Sequence, residues 1–322
     1  MIARAKDFLR RRVRGWQRRG QYPLRLPQEA APDARWRQAL EACDGRRTLA
    51  EVAREAGLSR AQLIEAHDQG LLLIWRSPVP PDAPRLDHPP HAIICSPHPD
   101  DAALSCGGRM LGDRSILVLN AFSRTAWWRF GYDVEDLPRI QACRSAEEAL
   151  VSRLSGCPVR NLDLPEALLR GRSMADLFTA MPDARDAEVS VTIGEAVRSL
   201  GREYPLAHWY LPLAVGDHLD HRIARDAALA ALREQGAGAT HLHFYEDLPY
   251  AAKAGPAADF STRVPGLTLG DEPLDVDDAI GWKLELLRAY RSQFRWAELA
   301  ELRSYAKAVG GGPAAEITWT PT

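Results

Sequence analysis

Cysteine is scarce in this chain: five residues are spread over 322 positions, and none forms a Cys-x-x-Cys pair. The chain therefore lacks the disulfide framework of a small secreted domain. Long hydrophobic runs are also missing, because no stretch approaches the ~18–20 apolar residues that span a bilayer. The basic start has no apolar signal-peptide core. We expect a cytoplasmic protein.

The chain has no marked excess of positive or negative charge, because its net charge is only −2. The net charge therefore says little about partners. Hydrophobic residues make up 46% of the chain and charged residues 26%, as in ordinary globular proteins. A length of 322 residues suffices for one sizeable α/β domain and a smaller module.

Residues 1–28 form a basic lead-in, with nine Lys or Arg against a single Asp. Four apolar residues recur at spacings typical of one helix face, namely Ile2, Leu9, Val13 and Trp16. Such a helix could make peripheral contact with an anionic membrane or with a protein. The alternative is a terminal helix packed on its own chain.

Residues 29–77 are predicted to form a small helical module. Thr48 and Glu51 make a capping box before one helix, and Ser59 caps the next. A Gly-Leu-Leu strand follows at 70–75. The order of helix, turn, helix and strand resembles a winged-helix or PqqD-like fold.

The module is a poor candidate for DNA binding. Residues 29–85 carry eight Arg against nine Asp or Glu, and DNA affinity depends largely on neutralising phosphates. We therefore expect no specific nucleic-acid partner and interpret the module as a scaffold or a protein-interaction element.

A proline-rich linker at 78–90 separates this module from residues 91–322. Beyond it, strand-like and helix-like segments alternate, which predicts a Rossmann-like, mostly parallel α/β sheet. Strands are expected near 92–96, 115–122, 159–164, 207–213 and 240–246, and helices near 103–111, 139–154, 184–201, 221–234 and 276–294.

The first chemically informative motif is the run Ser96-Pro97-His98-Pro99-Asp100-Asp101, directly after the predicted strand 92–96. Ligands bind at the carboxyl ends of strands in open parallel sheets. His and Asp three residues apart can converge on one divalent metal, with the neighbouring Asp left for proton transfer. Taken alone, the motif is also compatible with a helix N-cap.

A second cluster favours the metal interpretation. His218, Asp220 and His221 lie between the predicted strand 207–213 and a helix-like segment. Right-handed crossovers bring the ends of both strands to one edge of the sheet. Two His and one carboxylate with a fourth position open to water are what a catalytic zinc site needs.

Further motifs occur in a fixed order along the chain. The His-Pro-Asp-Asp loop precedes Leu-Ser-Cys-Gly-Gly at 104–108, and Arg144 and Glu147 stand on a later helix. The His-x-Asp-His loop, Phe244-Tyr245-Glu246 and a closing helix from Lys283 to Gln293 follow. Over roughly residues 90–310, the chain resembles the PIG-L/LmbE-like zinc-dependent de-N-acylases. That family includes deacetylases of N-acetylglucosaminyl-phosphatidylinositol, mycothiol precursors and antibiotic amino sugars.

The resemblance implies a ligand set and roles. His98, Asp101 and His221 would hold one Zn²⁺ per chain, or another divalent metal such as Fe²⁺. Asp100 would be the general base. His218, when protonated, would stabilise the oxyanion.

A carboxylate is expected to orient and charge one of the imidazoles. Asp220 is expected in that role, although the sequence does not separate it from Asp217.

Substrate contacts are expected from Arg144, which matches a family arginine, and from Arg124 and Trp127 in a loop after the second predicted strand. For Arg144, the alternative is a surface pair with Glu147 or Glu148.

Two positions depart from the family pattern. Ala102 stands where the family usually has Glu, which removes a hydrogen bond behind the ligands. Pro165-Glu166-Ala167 replaces a Pro-Asp-Gly turn and is expected to reshape the pocket.

The resemblance implies a hydrolase of linear amide C–N bonds that removes an acyl group, with acetyl expected, from an amino sugar or its conjugate. One alternative is a deacylase of a non-sugar substrate, such as a thiol conjugate or a peptide. The other is a non-catalytic ligand-sensing protein, which would have no need of the base.

Overall fold

The computed structural model of the protein describes residues 21–25, 34–113, 115–129, 136–236, 238, 241–294 and 296–322. The chain divides into two compact units, Met1–Asp82 and Ala83–Thr322. Most of the lead-in at 1–28 lies outside the described residues, and nothing in the structure supports its predicted peripheral contact. Among the described helices, none combines the length and the apolarity that a membrane crossing requires.

In the part that the structure describes, residues 21–25 and 34–82, the first unit contains three helices and a two-stranded antiparallel sheet. Thr48 and Glu51 form the predicted capping box, and Ser59 forms one with Gln62. The elements are β1 (Tyr22–Arg25), α1 (Ala34–Ala42), α2 (Leu49–Glu55), α3 (Arg60–Asp68) and β2 (Leu72–Trp75).

Strand β1 was not predicted, since residues 1–28 were interpreted as one basic lead-in. Its residues pair with β2, Tyr22 opposite Trp75 and Arg25 opposite Leu72. Proline is tolerated in an edge strand, where its missing N–H leaves no ladder bond unmade. Residues 22–25 therefore belong with the helical module rather than with the lead-in.

The second unit is an α/β domain. Its strands are β3 (Ala92–Ser96), β4 (Ile116–Asn120), β5 (Val159–Asn161), β6 (His208–Pro212), β7 (Leu242–Tyr245), β8 (Leu269–Asp275) and β9 (Ala315–Pro321). Its α-helices are α4 (Asp101–Gly112), α5 (Leu137–Ser155), α6 (Ala187–Glu203), α7 (Leu219–Glu234), α8 (Tyr250–Ala254), α9 (Ile280–Leu287) and α10 (Trp296–Val309).

These seven strands form one sheet in the order β5-β4-β3-β6-β7-β9-β8. The first five are parallel, which confirms the predicted mostly parallel α/β fold. Strands β8 and β9 join antiparallel and were not predicted. β8 is a polar edge strand (Leu-Gly-Asp-Glu-Pro-Leu-Asp) without the apolar run of a buried strand.

The strand order places a topological switch point beside β3. From β3 the chain builds β4 and β5 on one side, and then crosses to β6 on the other. Ligands bind in open α/β sheets where the strand order reverses in this way. The loops after β3 and β6, which carry the two histidine clusters, therefore lie side by side.

The helix predicted at 276–294 is shorter than expected. It forms only at Ile280–Leu287, and turns follow it. These turns bring Tyr290 and Ser292 against α5, where both side chains bind buried glutamates.

Candidate active site

The loop between β3 and α4 is held by its own hydrogen bonds. Ser96 Oγ donates to the carbonyl of His98 at 2.6 Å and accepts from the amide of Ala102 at 3.0 Å. The amide of His98 donates to Asp101 Oδ2 at 2.8 Å. Asp100 occupies the N-cap position of α4, but its side chain makes no capping hydrogen bond. The helix-cap interpretation of Asp100 is therefore wrong.

Three donor atoms converge where the two loops meet. Asp101 Oδ2 lies 3.2 Å from His98 Nδ1 and 3.3 Å from His221 Nε2. Ligand atoms about 2.0–2.2 Å from a tetrahedral zinc ion are separated by roughly 3.3 Å. The residues present thus fit a divalent metal in donor type and in spacing.

In both imidazoles of this set, the ring nitrogen that does not face Asp101 hydrogen-bonds to a further carboxylate. His98 Nε2 lies 3.0 Å from Asp220 Oδ2, and His221 Nδ1 lies 2.6 Å from Asp247 Oδ1. Such carboxylates orient metal-binding imidazoles and raise their basicity.

Asp247 was missed by the sequence analysis, although a signal existed. It directly follows the predicted strand 240–246 and so lies at the same edge of the sheet. Asp217, the alternative to Asp220, instead pairs with Arg263 at 2.6 Å.

A second group of possible ligands is His98, His218 and Asp220. Asp220 is a poor ligand because its carboxylate is already used: it accepts from Arg170 at 2.7 Å and from the amide of Ala167 at 2.9 Å. These bonds suit a carboxylate that supports His98 rather than one that binds a metal.

The electrostatic environment of the site favours the protonated form of the two imidazoles and the ionised form of Asp101. Burial alone would lower the pKa of His98, but its bonds to Asp101 and Asp220 raise it well above the usual value. The pKa of His221 is raised in the same way by Asp101 and Asp247. Burial would raise the pKa of Asp101, but the two imidazoles lower it to about 2. A bound cation would take the place of the protons on these rings.

Asp100 faces a buried arginine. Arg144 Nη2 donates to Asp100 Oδ1 at 2.8 Å, and its other terminal nitrogen lies 3.7 Å from Glu147. Burial would lower the pKa of Arg144, but Asp100 and Glu147 raise it. Glu147 is held by the amide and hydroxyl of Ser292 at 2.8 and 2.6 Å. The interpretation of Arg144 as half of a surface pair is therefore wrong.

A second buried glutamate supports the same loop. Glu148 accepts from Asn120 Nδ2 at 3.0 Å and bonds to Tyr290 at 2.5 Å, and the Tyr290 hydroxyl also donates to the carbonyl of Pro99. Burial raises the pKa of Glu148 to about 7. The Tyr290 hydroxyl has a single hydrogen, which it donates to the carbonyl of Pro99. A protonated Glu148 donates its own hydrogen to the same hydroxyl oxygen, so both contacts are satisfied.

His218 begins α7, and its ring lies edge-on to His98 with ring centres 5.2 Å apart. Burial, with the neighbouring His221 and His98, lowers the pKa of His218 to about 3. The ring is therefore neutral at neutral pH, whereas the expected oxyanion role was stated for a protonated ring. Because Nδ1 accepts from the amide of Asp220 at 3.3 Å, the ring proton lies on Nε2.

These groups line a cavity of ≈ 320 Å³. Its polar lining residues include Asp100, Arg144 and His218. Its apolar and aromatic lining residues include Leu168, Met174, Leu177, Phe178, Tyr250 and Phe294.

The predicted substrate contacts have different positions. Arg144 and Trp127 line the cavity, and Trp127 is 37% exposed. Arg124 is exposed and is not among the described residues that line it.

Both departures from the family pattern are visible. Ala102 is buried in an apolar cluster with Cys106, Tyr210 and Tyr245, so this position holds no hydrogen-bonding group. In the altered turn, Glu166 and Ala167 line the cavity. Glu166 there binds Thr125 and the amide of Trp127, which fixes the cavity wall.

The chain is similar to known deacetylases in sequence. It is 28% identical over 263 residues to the 2'-N-acetylparomamine deacetylase of Streptomyces fradiae, covering 71% of this chain and 89% of that protein. No protein-family model matches the chain.

Solved structures share the fold. A deacetylase of teicoplanin biosynthesis superposes with a TM-score of 0.58 at 23% identity, over 72% of this chain and 97% of its own. The A40926 pseudoaglycone deacetylase does so with a TM-score of 0.54 at 24% identity, over 73% of this chain and 97% of its own. The winged-helix resemblance of the first unit is not confirmed by these matches. The resemblance of the α/β unit to the LmbE/PIG-L-type deacetylases is confirmed, in sequence and in fold.

Proposed function

We propose that this protein removes an N-acyl group from an amino sugar or its conjugate by metal-dependent hydrolysis. The acyl group that we propose is acetyl. The observation that carries the proposal is one arrangement at the cavity. Three metal-binding atoms converge there, with a further carboxylate, Asp100, and a neutral imidazole, His218, on the same lining. A ligand-sensing protein has no need of these last two groups.

His98, Asp101 and His221 would hold one Zn²⁺. Zinc is favoured by the two imidazoles and the single carboxylate. A teicoplanin deacetylase of the same fold is known in a zinc-inhibited form, which supports a metal site in this fold but does not identify the working ion. When bound, the ion supplies a Lewis acid and lowers the pKa of water to about 7.

Asp100 would take the proton of the attacking water and later deliver it to the leaving amine. Arg144 fixes the orientation of Asp100 through the bond to Oδ1, so that the carboxylate is positioned before substrate arrives. His218 would donate from Nε2 to the negative charge that develops on the amide oxygen. A neutral donor suffices for this role.

An amino sugar fits the cavity in size and chemistry. Ligand pockets typically span about 300–1,000 Å³, with a mostly apolar lining and few polar groups. Trp127 lines the cavity, and an indole ring is a group on which a sugar ring can stack. The relative from Streptomyces fradiae acts on N-acetylparomamine, and the structural neighbours include deacetylases of teicoplanin biosynthesis and of A40926 pseudoaglycone.

The test is release of primary amine from a panel of N-acetylated sugars by zinc-loaded protein, compared with an N-acetylated thiol conjugate and an N-acetyl peptide. Asp100→Asn should lower kcat by at least about 10²-fold while metal content stays near one per chain. Asp217→Asn is the matched control, because Asp217 pairs with Arg263 instead.

Full activity of Asp100→Asn would contradict the mechanism. Hydrolysis of only the thiol conjugate or the peptide would contradict the sugar substrate. Protein without bound transition metal after zinc loading would contradict the site.

A further inference from the structure

Residues 165–186, between strand β5 and helix α6, supply part of the cavity lining, and we call them the lining segment. All of them are described, and their helical structure is limited to three 3₁₀ turns of three or four residues. Six of them nevertheless line the cavity: Glu166, Ala167, Leu168, Met174, Leu177 and Phe178. Because the segment has no long helix or sheet ladder of its own, side-chain contacts must hold it in place.

Arg170 holds this segment through all three of its guanidinium nitrogens. Nη2 donates to Asp220 Oδ1 at 2.7 Å, Nε to Asp186 Oδ1 at 3.0 Å, and Nη1 to the carbonyl of Pro165 at 2.6 Å. The Arg170 side chain is only 4% exposed, and both carboxylates are only 1% exposed. A planar guanidinium with several fixed donors can bridge two carboxylates in this way, whereas lysine offers one compact ammonium group.

One of these two carboxylates also supports a proposed metal ligand. Asp220 Oδ2 lies 3.0 Å from His98 Nε2 and accepts from the amide of Ala167 at 2.9 Å. The lining segment thus holds both oxygens of Asp220, one through the side chain of Arg170 and the other through the amide of Ala167. A displacement of the segment would therefore move Asp220 and, with it, the imidazole that it orients.

The other carboxylate closes the segment on itself. Asp186 Oδ2 accepts from Arg172 Nη2 at 2.6 Å, so that Arg170 and Arg172 bind the two oxygens of one group. The chain between Arg172 and Asp186 carries Phe178, whose ring centre lies 5.2 Å from that of His218. Two buried guanidinium groups thus face two buried carboxylates, and removal of one partner would leave a buried charge uncompensated.

We infer that Arg170 is a positioning residue that couples the lining segment to metal binding at His98. The contacts that carry the coupling lie in series: Asp186 with Arg170, Arg170 with Asp220, and Asp220 with His98. Coupling of this kind is reciprocal, so an ordered segment favours metal binding and a bound metal favours the ordered segment. This inference rests on the proposed function, because it takes His98 as a metal ligand.

The test measures zinc affinity by competition with a chelator of known affinity, in the full chain and with zinc alone as the probe. Asp186→Asn keeps the shape of a side chain that binds Arg170 and Arg172. It should nevertheless weaken zinc binding about three- to tenfold, less than the loss of 10–100-fold that is typical when a direct partner of a ligand is removed. Arg170→Lys should have a similar effect. The double variant should lose no more than the larger single effect, because both substitutions break one series of contacts.

Asp176→Asn is the matched control, because it is the same substitution in the same segment and its side chain binds Ser173 instead. Its zinc affinity should equal that of the wild type. Amide hydrogen exchange of the wild-type protein is a second measurement that needs no variant. Zinc should slow exchange in residues 171–186 at least about threefold relative to protein in chelator, whereas residues 34–75 of the first unit should exchange equally in both states.

Wild-type zinc affinity in both Asp186→Asn and Arg170→Lys, even with a lowered unfolding free energy, would show a merely structural network and overturn the inference. Exchange in residues 171–186 that does not respond to zinc would also overturn it, and this result decides the question if neither variant folds. Both results would leave the proposed function intact. Absence of zinc binding by the wild-type protein would overturn the proposed function, and the inference with it.

Discussion

At the residue scale, the carboxylates behind the imidazoles distinguish this site from a chance cluster of histidines. Asp220 and Asp247 are both wholly buried, and each binds the imidazole nitrogen that points away from the converging donors. A buried carboxylate needs hydrogen-bond partners, and each of these aspartates has one in the imidazole and a further one in a backbone amide, of Ala167 or of Val215.

Removing the charge of Asp247 should weaken metal binding. Asp247→Asn keeps the shape of the side chain but replaces the charged partner of His221 Nδ1, and loss of such partners typically costs 10–100-fold in metal affinity. Competition with a chelator of known affinity measures the change. Asp271→Asn, in edge strand β8, is the control and should bind zinc like the wild type.

Glu148 should make stability depend on pH. Its folded-state pKa, raised by burial to about 7, exceeds the ordinary 4.5, so its contribution is fully present below pH 4.5 and is lost as pH rises toward 7. Glu148→Gln keeps the hydrogen bonds and cannot ionise. Relative to wild type, the variant should gain on the order of 3 kcal/mol in unfolding free energy between pH 4.5 and pH 8.

Urea unfolding at both pH values gives this difference. A variant that tracks the wild type at every pH would show that the pKa of Glu148 is not raised in the folded state.

At the scale of elements, helix α4 is interrupted near its middle. Cys106 has non-helical backbone angles (φ −120°, ψ 16°). The amides of Gly108 and Arg109 donate to the carboxylate of Glu316 on β9 at 2.6 and 3.1 Å. Kinks arise where a side chain enters the helical ladder, and Glu316 does so here. Lys283 balances its charge at 2.8 Å.

Gly108 is where this arrangement needs the absence of a side chain. A Cβ at Gly108 would lie 2.5 Å from Val276 Cγ1 and 3.0 Å from Glu316 Oε1. Gly108→Ala should therefore lower the unfolding free energy by about 1–3 kcal/mol, as overpacking does. Thermal or urea unfolding measures the change.

Gly112→Ala on the same helix is the matched control, because a Cβ there meets nothing within 4 Å. It should be neutral or stabilising by up to about 1 kcal/mol. Equal effects of the two substitutions would contradict the role given to Glu316.

At the scale of the whole molecule, a bound metal would tie together two loops that are distant in the chain. His98 and Asp101 follow β3, whereas His221 follows β6 and stands 120 positions after Asp101. Zinc binds the folded arrangement, so it should raise the melting temperature in a concentration-dependent way. At a hundredfold excess over Kd the stabilisation is about 2.7 kcal/mol.

Scanning calorimetry with zinc and with chelator measures this shift. Asp101→Asn should abolish most of it, and Asp217→Asn should retain it. A zinc-independent melting temperature in the wild type would contradict the metal site.

Much of this molecule could be predicted from local patterns. The apolar run Ala92–Cys95, the capping boxes of α2 and α3 and the alternation of strands and helices each reflect contacts between near neighbours in the chain. The His98 and His218–His221 loops were recognisable because each has His and Asp within a few residues of each other, directly after a predicted strand. These features are local, so the order of residues suffices to predict them.

Other features depend on partners far along the chain. Asp100 meets Arg144, His221 meets Asp247, and Glu316 enters α4 from β9, over separations of 44, 26 and more than 200 residues. The neutral state of His218 also follows from burial, which only packing creates. The sequence thus determined the five parallel strands, the helices that alternate with them and the ligand types. Tertiary structure decided strands β1, β8 and β9, the charge states, the supporting carboxylates and the shape of the pocket. The reason is that desolvation and Coulomb interactions depend on distances that only the folded chain defines.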